Sequence, residues 1–267
     1  MLGMADPANL GWVKVIAAAL GSGLTVKALD VAYQEIRRRY DRSASSRKFT
    51  DEALDPLLKA ADELFGKLRA LALRDFTGLR SASEHLEKGE LQVGDLAALL
   101  YLFGKFWGRA ELLRGHSMYS TLSEDTRGRE LIEFLRCLES QRTRLVDRTT
   151  QRAIGESMIA ESAGSRTTLS FVEFVEKWEG VEQWRRWLAP LALLISRTNH
   201  TSVRQDLLKY GVVLNVMIDR LDSSHIVTRD RAPYAAKLSK RTRKDLRFRI
   251  FKVHLEFVDD TRKYTQP

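Results

Sequence analysis

The chain has a single cysteine, Cys137, in 267 residues, so it lacks an intramolecular disulfide. A reducing, cytosolic environment is therefore expected for most of the polypeptide. Cys137 lies at helical spacing among leucines in LIEFLRCLES, the setting of a packed thiol rather than a nucleophile. Turn formers are scarce as well. With 5 prolines and 16 glycines the chain has too few for a protein of short strands, each ending in a turn. No stretch shows sustained period-two alternation, and GVVLNV, the nearest approach, reads better as helix. Internal repeats and low-complexity tracts are missing. So are the signatures of common chemistry: there is no GxxxxGK[ST], no GxGxxG after a strand and no GxSxG. The 5 histidines, at 85, 116, 200, 225 and 254, never fall at a metal-binding spacing. From these absences the expectation is a chain without cofactor, metal or catalytic site.

What the sequence does contain is helical periodicity. A hydrophobic fraction of 44% beside 30% charged residues suits a folded core and argues against wholesale disorder. Between Asp51 and Phe76, Leu54, Leu57, Leu58, Ala61, Leu64, Phe65, Leu68 and Leu71 recur on one helical face. Thr50 or Asp55 is placed to cap this helix, and Pro56 is acceptable in its first turn. A polar passage over 78–94 precedes LAALLYLFGKFWGRAELLRG, read as a central core helix. Its longest uncharged run, Leu96–Gly104, is too short to span a bilayer. Further helices are expected over about 128–159, 170–178 and 182–197, the second opening on a Ser170–Glu173 capping box. Ser202 and Gln205 offer the same signature ahead of LLKYGVVLNVMIDRLD. A last helix is expected over about 234–262, with Leu246, Ile250, Val253 and Phe257 as its apolar stripe. Residues 162–168 and 222–233 read as polar loops. The fold class is all-α: a multi-helix bundle preceded by a long N-terminal helix.

That first helix sets the expected domain organisation. Residues 1–9 read as a short tail, 10–36 as a transmembrane or membrane-associated helix, 37–50 as a basic linker and 51–267 as a cytosolic helical domain. Leu10 to Leu29 would rise about 30 Å as a helix, the thickness of the hydrocarbon layer. Its two charges, Lys14 and Lys27, sit near opposite ends, where a lysine head reaches the interface. Trp12 and Tyr33 suit the two interfaces, and Ala17/Gly21 and Ala19/Gly23 have the small-xxx-small spacing of self-associating membrane helices. Residues 37–48 hold six basic side chains against one acid, and Arg37, Arg38 and Arg39 among them are candidates for binding an anionic surface. The positive-inside rule then puts the N-terminus outside and the rest in the cytoplasm. An apolar helix interrupted by Gly-Ser-Gly and followed by an arginine run resembles the short N-terminal anchors of many bacterial inner-membrane proteins. The resemblance implies a single-pass protein of that membrane. The alternative is a cytoplasmic protein whose first helix is amphipathic, since Lys27, Asp30 and Gln34 share one face.

Charge supplies the remaining candidates. Lysine and arginine number 44 against 35 acids, a net +9 that points to polyanionic partners, lipid or nucleic acid. The segment KLSKRTRKDLRFRIFK, 237–252, carries eight basic residues against Asp245 alone. Lys240, Arg243, Lys244 and Arg247 share one helical face there, suited to lipid phosphates or to nucleic-acid phosphates. A solvated face balanced by the acidic stretch 172–183 is the plainer account. Arg109, Glu111 and Arg114 stand among Phe103, Phe106, Trp107, Leu112 and Leu113, where charges must pair to offset desolvation. They are expected to form a buried network, or to line a pocket for an anionic group. The expected function is that of a membrane-anchored helical protein acting through protein or anionic-lipid contacts rather than catalysis. The alternative is a soluble basic protein binding nucleic acid through 237–252.

Overall fold

The computed structural model describes residues 54–79, 94–115, 122–162 and 164–266. The chain divides into two units, 1–48 and 49–267, and every described residue belongs to the second. The expected membrane helix, the linker carrying Arg37, Arg38 and Arg39, and the cap at Thr50 lie outside the described residues. No helix among the described residues is long and apolar enough to cross a membrane.

The fold is predominantly helical, as the periodicity requires. Helix α1 runs over 54–73 and buries Leu54, Leu57, Leu58, Ala61, Leu64, Phe65, Leu68 and Leu71 completely or nearly so. Helix α2, Asp95–Gly115, is buried on most of its circumference, with Leu99, Leu100, Phe103, Phe106 and Trp107 inside the core. It is the axis of the bundle. Against it pack α4, Arg148–Ser157, α5, Phe171–Gly180, and α6, Glu182–Ser196. The α2–α4 approach is close because both surfaces lack side chains at the crossing. A Cβ on Gly155 would lie 2.9 Å from the Trp107 backbone, and one on Gly108 would lie 3.2 Å from the Gly155 carbonyl oxygen. Helix α7, Thr201–Leu221, closes the core from the other side, and its buried Tyr210 hydroxyl accepts the Trp107 indole N–H at 2.8 Å.

Four local features depart from the periodic reading. The helix expected over 128–159 is two helices, α3, Thr126–Leu138, and α4, joined by a turn over 139–147. Asp147 makes the break: its carboxylate accepts the Thr150 N–H at 3.0 Å and restarts the helix there. The expected loop 162–168 is largely the return strand of a hairpin, β1 Ile159–Ser162 against β2 Ser165–Thr168, with Ile159 opposite Thr168. Gly164 supplies the turn with φ 77°, a region that costs glycine nothing. The capping box at Ser170 and Glu173 forms in full. The similar signature at Ser202 does not: α7 starts on His200 without a side-chain cap, and Gln205 is used elsewhere.

The fourth departure matters most. The expected helix 234–262 is replaced by a single 3-10 turn, Ala235–Lys237, and a shorter helix, α8, over 240–254. Within α8 the segment Leu246–Phe251 is π-helical, each bond spanning five residues instead of four. One extra residue per turn moves the buried stripe from Leu246, Ile250, Val253 and Phe257 to Leu246, Ile250, Phe251 and Leu255. Val253 swings out to 60% exposure, while Phe257 is half-buried with its edge against Phe134. The loop over 222–233 is nonhelical, as its composition suggests. Asp222 organises it, accepting the N–H groups of Ile226, Val227 and Thr228 and the Thr228 hydroxyl at 2.8–3.0 Å.

Candidate anion-binding groove

A groove of about 690 Å³ runs between the start of α7, the turn after α3, and α8. Its shape depends on one glutamine. The Gln205 side-chain oxygen accepts the Ser239 N–H at 2.8 Å and its amide donates to the Lys237 carbonyl at 3.0 Å, fixing the entry of α8 against α7. Ser239 then caps α8, its hydroxyl accepting the Thr242 N–H at 3.1 Å. Hydroxyl and amide groups of Thr201, Ser202, Gln205, Ser239 and Thr242 line the floor and walls.

The charges of the groove are unevenly partnered. Five cations, Arg142, Lys209, Arg241, Lys244 and Arg249, face two carboxylates, Asp206 and Asp245. Lys209 lies 3.0 Å from Asp206 and 3.8 Å from Asp245, and Arg249 lies 3.6 Å from the other oxygen of Asp245. Both acids are thus held by Lys209 and Arg249. Among the described residues Arg142, Arg241 and Lys244 form no ion pair. Phe248, 51% exposed, forms an apolar wall, with the Arg247 guanidinium 5.4 Å from its ring centre.

Of the face expected at Lys240, Arg243, Lys244 and Arg247, only Lys244 lines the groove. Lys240 and Arg247 are exposed on the outer side of α8, and Arg243 is half-buried. Arg241, Arg249 and Arg142 were not singled out by helical spacing. The first two lay in plain view within the basic segment, but Arg142 belongs to a turn where the sequence suggested continuous helix.

The charged residues of α2 separate into two environments. Glu111 is buried and paired with Arg114, which also binds Glu139. Glu139, its side chain 5% exposed, receives Arg148 at 2.9 Å and Arg152 at 3.2 Å. Burial pushes the Glu111 carboxyl above its ordinary range, with the Arg114 charge and hydrogen bond opposing. Arg109 takes no part in this cluster. It donates to the Thr167 hydroxyl of the hairpin at 3.1 Å, its Nε is buried without a partner, and burial lowers its pKa. A cavity of about 10 Å³ beside Glu111, Glu139 and Gln151 is room for one water and nothing larger.

A further polar cluster ties the C-terminal turn to α7. Asp219 of α7 accepts from the Tyr264 hydroxyl at 2.7 Å and from Lys263 at 2.6 Å, clamping the last helical turn, α9, Arg262–Thr265. Burial pushes the Tyr264 hydroxyl pKa upward, and the bond to Asp219 adds to it. The Cys137 thiol is buried and pushed up to about 12, so it holds its proton at neutral pH. Among the described residues no three histidine, cysteine or acidic side chains converge as a metal site. Comparison of the chain with protein-family models, with curated proteins and with solved structures finds no match.

Proposed function

We propose that this chain is a non-catalytic helical domain tethered to a membrane by its apolar first segment, 10–36, with α8 resting on anionic lipid at the cytoplasmic surface. By that reading the membrane is the bacterial inner membrane. The observation that carries the proposal is the part of α8 outside the groove, where the π turn leaves Val253 exposed in a segment that also exposes Lys240, Arg247 and Lys252, with Phe248 exposed at the groove's edge. Exposed apolar side chains ringed by cations match a surface that enters the headgroup layer while its charges meet lipid phosphates. Nucleic-acid binding remains the second reading, because a cation-flanked Phe248 also suits base stacking. Exposed Val253 has no use there, which favours lipid.

The test is sedimentation of the full chain with phosphatidylglycerol vesicles and with neutral phosphatidylcholine vesicles. The apolar tether is blind to headgroup charge but the basic segment 37–48 is not, so the part of the anionic preference that α8 variants remove reports α8. Replacing Lys240 and Arg247 together with alanine is expected to weaken that preference by about 2 kcal/mol, near thirtyfold. Val253→Asp should weaken it further. Equal binding to both vesicle types would sink the lipid reading. Salt-sensitive retention of single-stranded RNA on a filter, lost in the same variants, would put nucleic acid in its place.

A further inference from the structure

We infer that the groove between α7 and α8 is a binding site for a phosphorylated polyol, distinct from the diffuse cationic surface on the outside of the same helix. The inference rests on the lipid reading only for the source of the ligand, not for the existence of the site.

Three observations meet in the groove. Its cations converge from separate parts of the chain: Arg142 from the turn after α3, and Arg241 and Lys244 from α8. A surface helix solvating itself has no need of the first. The groove's two acids, Asp206 and Asp245, are already held by Lys209 and Arg249, which leaves Arg142, Arg241 and Lys244 to face an external anion. Guanidinium groups supply planar, paired donors that fit phosphate oxygens.

The rest of the lining reads the rest of the ligand. Gln141, Thr201, Ser202 and Thr242 present groups that donate to or accept from alcohol hydroxyls, and Phe248 offers an apolar wall for the carbon skeleton. A volume of about 690 Å³ exceeds what one inorganic phosphate needs and suits a ligand of small-molecule size. The site is built rather than accidental: Gln205 spends both ends of its side-chain amide on the backbone of 237–239, which sets where Arg241 and Lys244 begin.

The probe is myo-inositol 1,4,5-trisphosphate, titrated calorimetrically into the full chain, with unphosphorylated inositol as control. The trisphosphate is expected to bind and inositol to give no heat. Arg142→Ala with Arg241→Ala should weaken binding at least about tenfold. Lys240→Ala with Arg247→Ala removes the same charge from outside the groove and should leave binding within about twofold. If the groove pair fails to fold, Ser202→Glu, an exposed change that places a negative charge in the wall, should give the same loss. Absence of trisphosphate binding overturns the inference, and so does equal weakening by the two pairs, which would mean a diffuse field and no site.

Vesicles identify the source. A preference for phosphatidylinositol bisphosphate vesicles over neutral ones that the groove pair loses and the Lys240/Arg247 pair keeps assigns a lipid headgroup. Trisphosphate binding without such a preference assigns a free phosphate ester. Either result supports the site. Anionic vesicles that bind while trisphosphate does not would leave the lipid surface standing and remove the groove.

Discussion

The Glu139 cluster and the α7–α8 groove are both built from arginine, yet they treat it in opposite ways. In the first, Arg114, Arg148 and Arg152 converge on one nearly buried carboxylate, and Arg114 reaches a second in Glu111. In the second, Arg142 and Arg241 stay in solvent without a carboxylate in range, and the acids present are held by other cations. Desolvation explains the contrast. Arg114 and Glu139, drawn between α2, α3 and α4, lose water and must find opposite charge, and the more exposed Arg148 and Arg152 reach in to supply it. A cation on an open wall keeps its hydration and needs none. In these two regions the partnering of arginine therefore separates a cluster that holds the fold together from a wall that faces outward.

The largest test of that contrast removes the hub. Glu139→Ala leaves Arg114 with one carboxylate in place of two and is expected to destabilise the fold by about 3 kcal/mol in urea unfolding. The comparison breaks if the loss is under about 1 kcal/mol, the value of an ordinary surface pair.

Part of this arrangement was legible in the sequence. Glu111 and Arg114 are three residues apart on α2 and had to face each other, and the structure pairs them. Arg109 stands two residues from Glu111, on a different side of the helix, and it goes to the hairpin. Glu139 was beyond reach: it follows the end of α3, and only the packing of three helices brings it to Arg114. The core stripes of α1 and α2 followed directly from spacing. The π turn of α8 did not, because a heptad-like stripe assumes one period throughout, and Val253 fitted it better than Phe251. Tertiary packing chose Phe251 and Leu255, and that choice exposed Val253 and set the walls of the groove.

An intermediate effect sharpens the buried half of the comparison with a carboxylate satisfied by neutral donors. Burial works to raise the Asp222 carboxyl, and the Thr228 hydroxyl with three backbone N–H groups outweighs it, so the pKa falls below its ordinary value. A depressed carboxylate contributes stability that is present above the ordinary value and lost as pH falls through the folded one. Asp222→Asn is expected to cost about 2 kcal/mol at neutral pH, because buried donors of 226–228 lose their ionised acceptor. In unfolding curves the gap between the variant and the parent should close below about pH 4. Glu111 carries the opposite sign. Its raised pKa gives stability that is fully present at acid pH and declines as pH rises through the folded value. A gap for Asp222→Asn that does not change with pH would show that shape, not charge, holds the 222–233 loop.

The smallest expected effect tests the open half. Arg142→Ala with Arg241→Ala removes two cations that form no ion pair among the described residues, so no buried partner is orphaned. Stability in urea should therefore change by less than about 0.5 kcal/mol, the range of ordinary surface substitutions. The sign is informative even at that size. Relief of repulsion among Arg142, Arg241, Lys244 and Arg249 should make the variant slightly more stable at low ionic strength, and added salt should erase the gain as the Debye length shrinks from about 30 Å to 8 Å. A loss above 1 kcal/mol would mean that these arginines hold the fold, and the distinction drawn between the two regions would fail. A small gain that salt removes is the behaviour of unpaired cations that repel one another across an open wall.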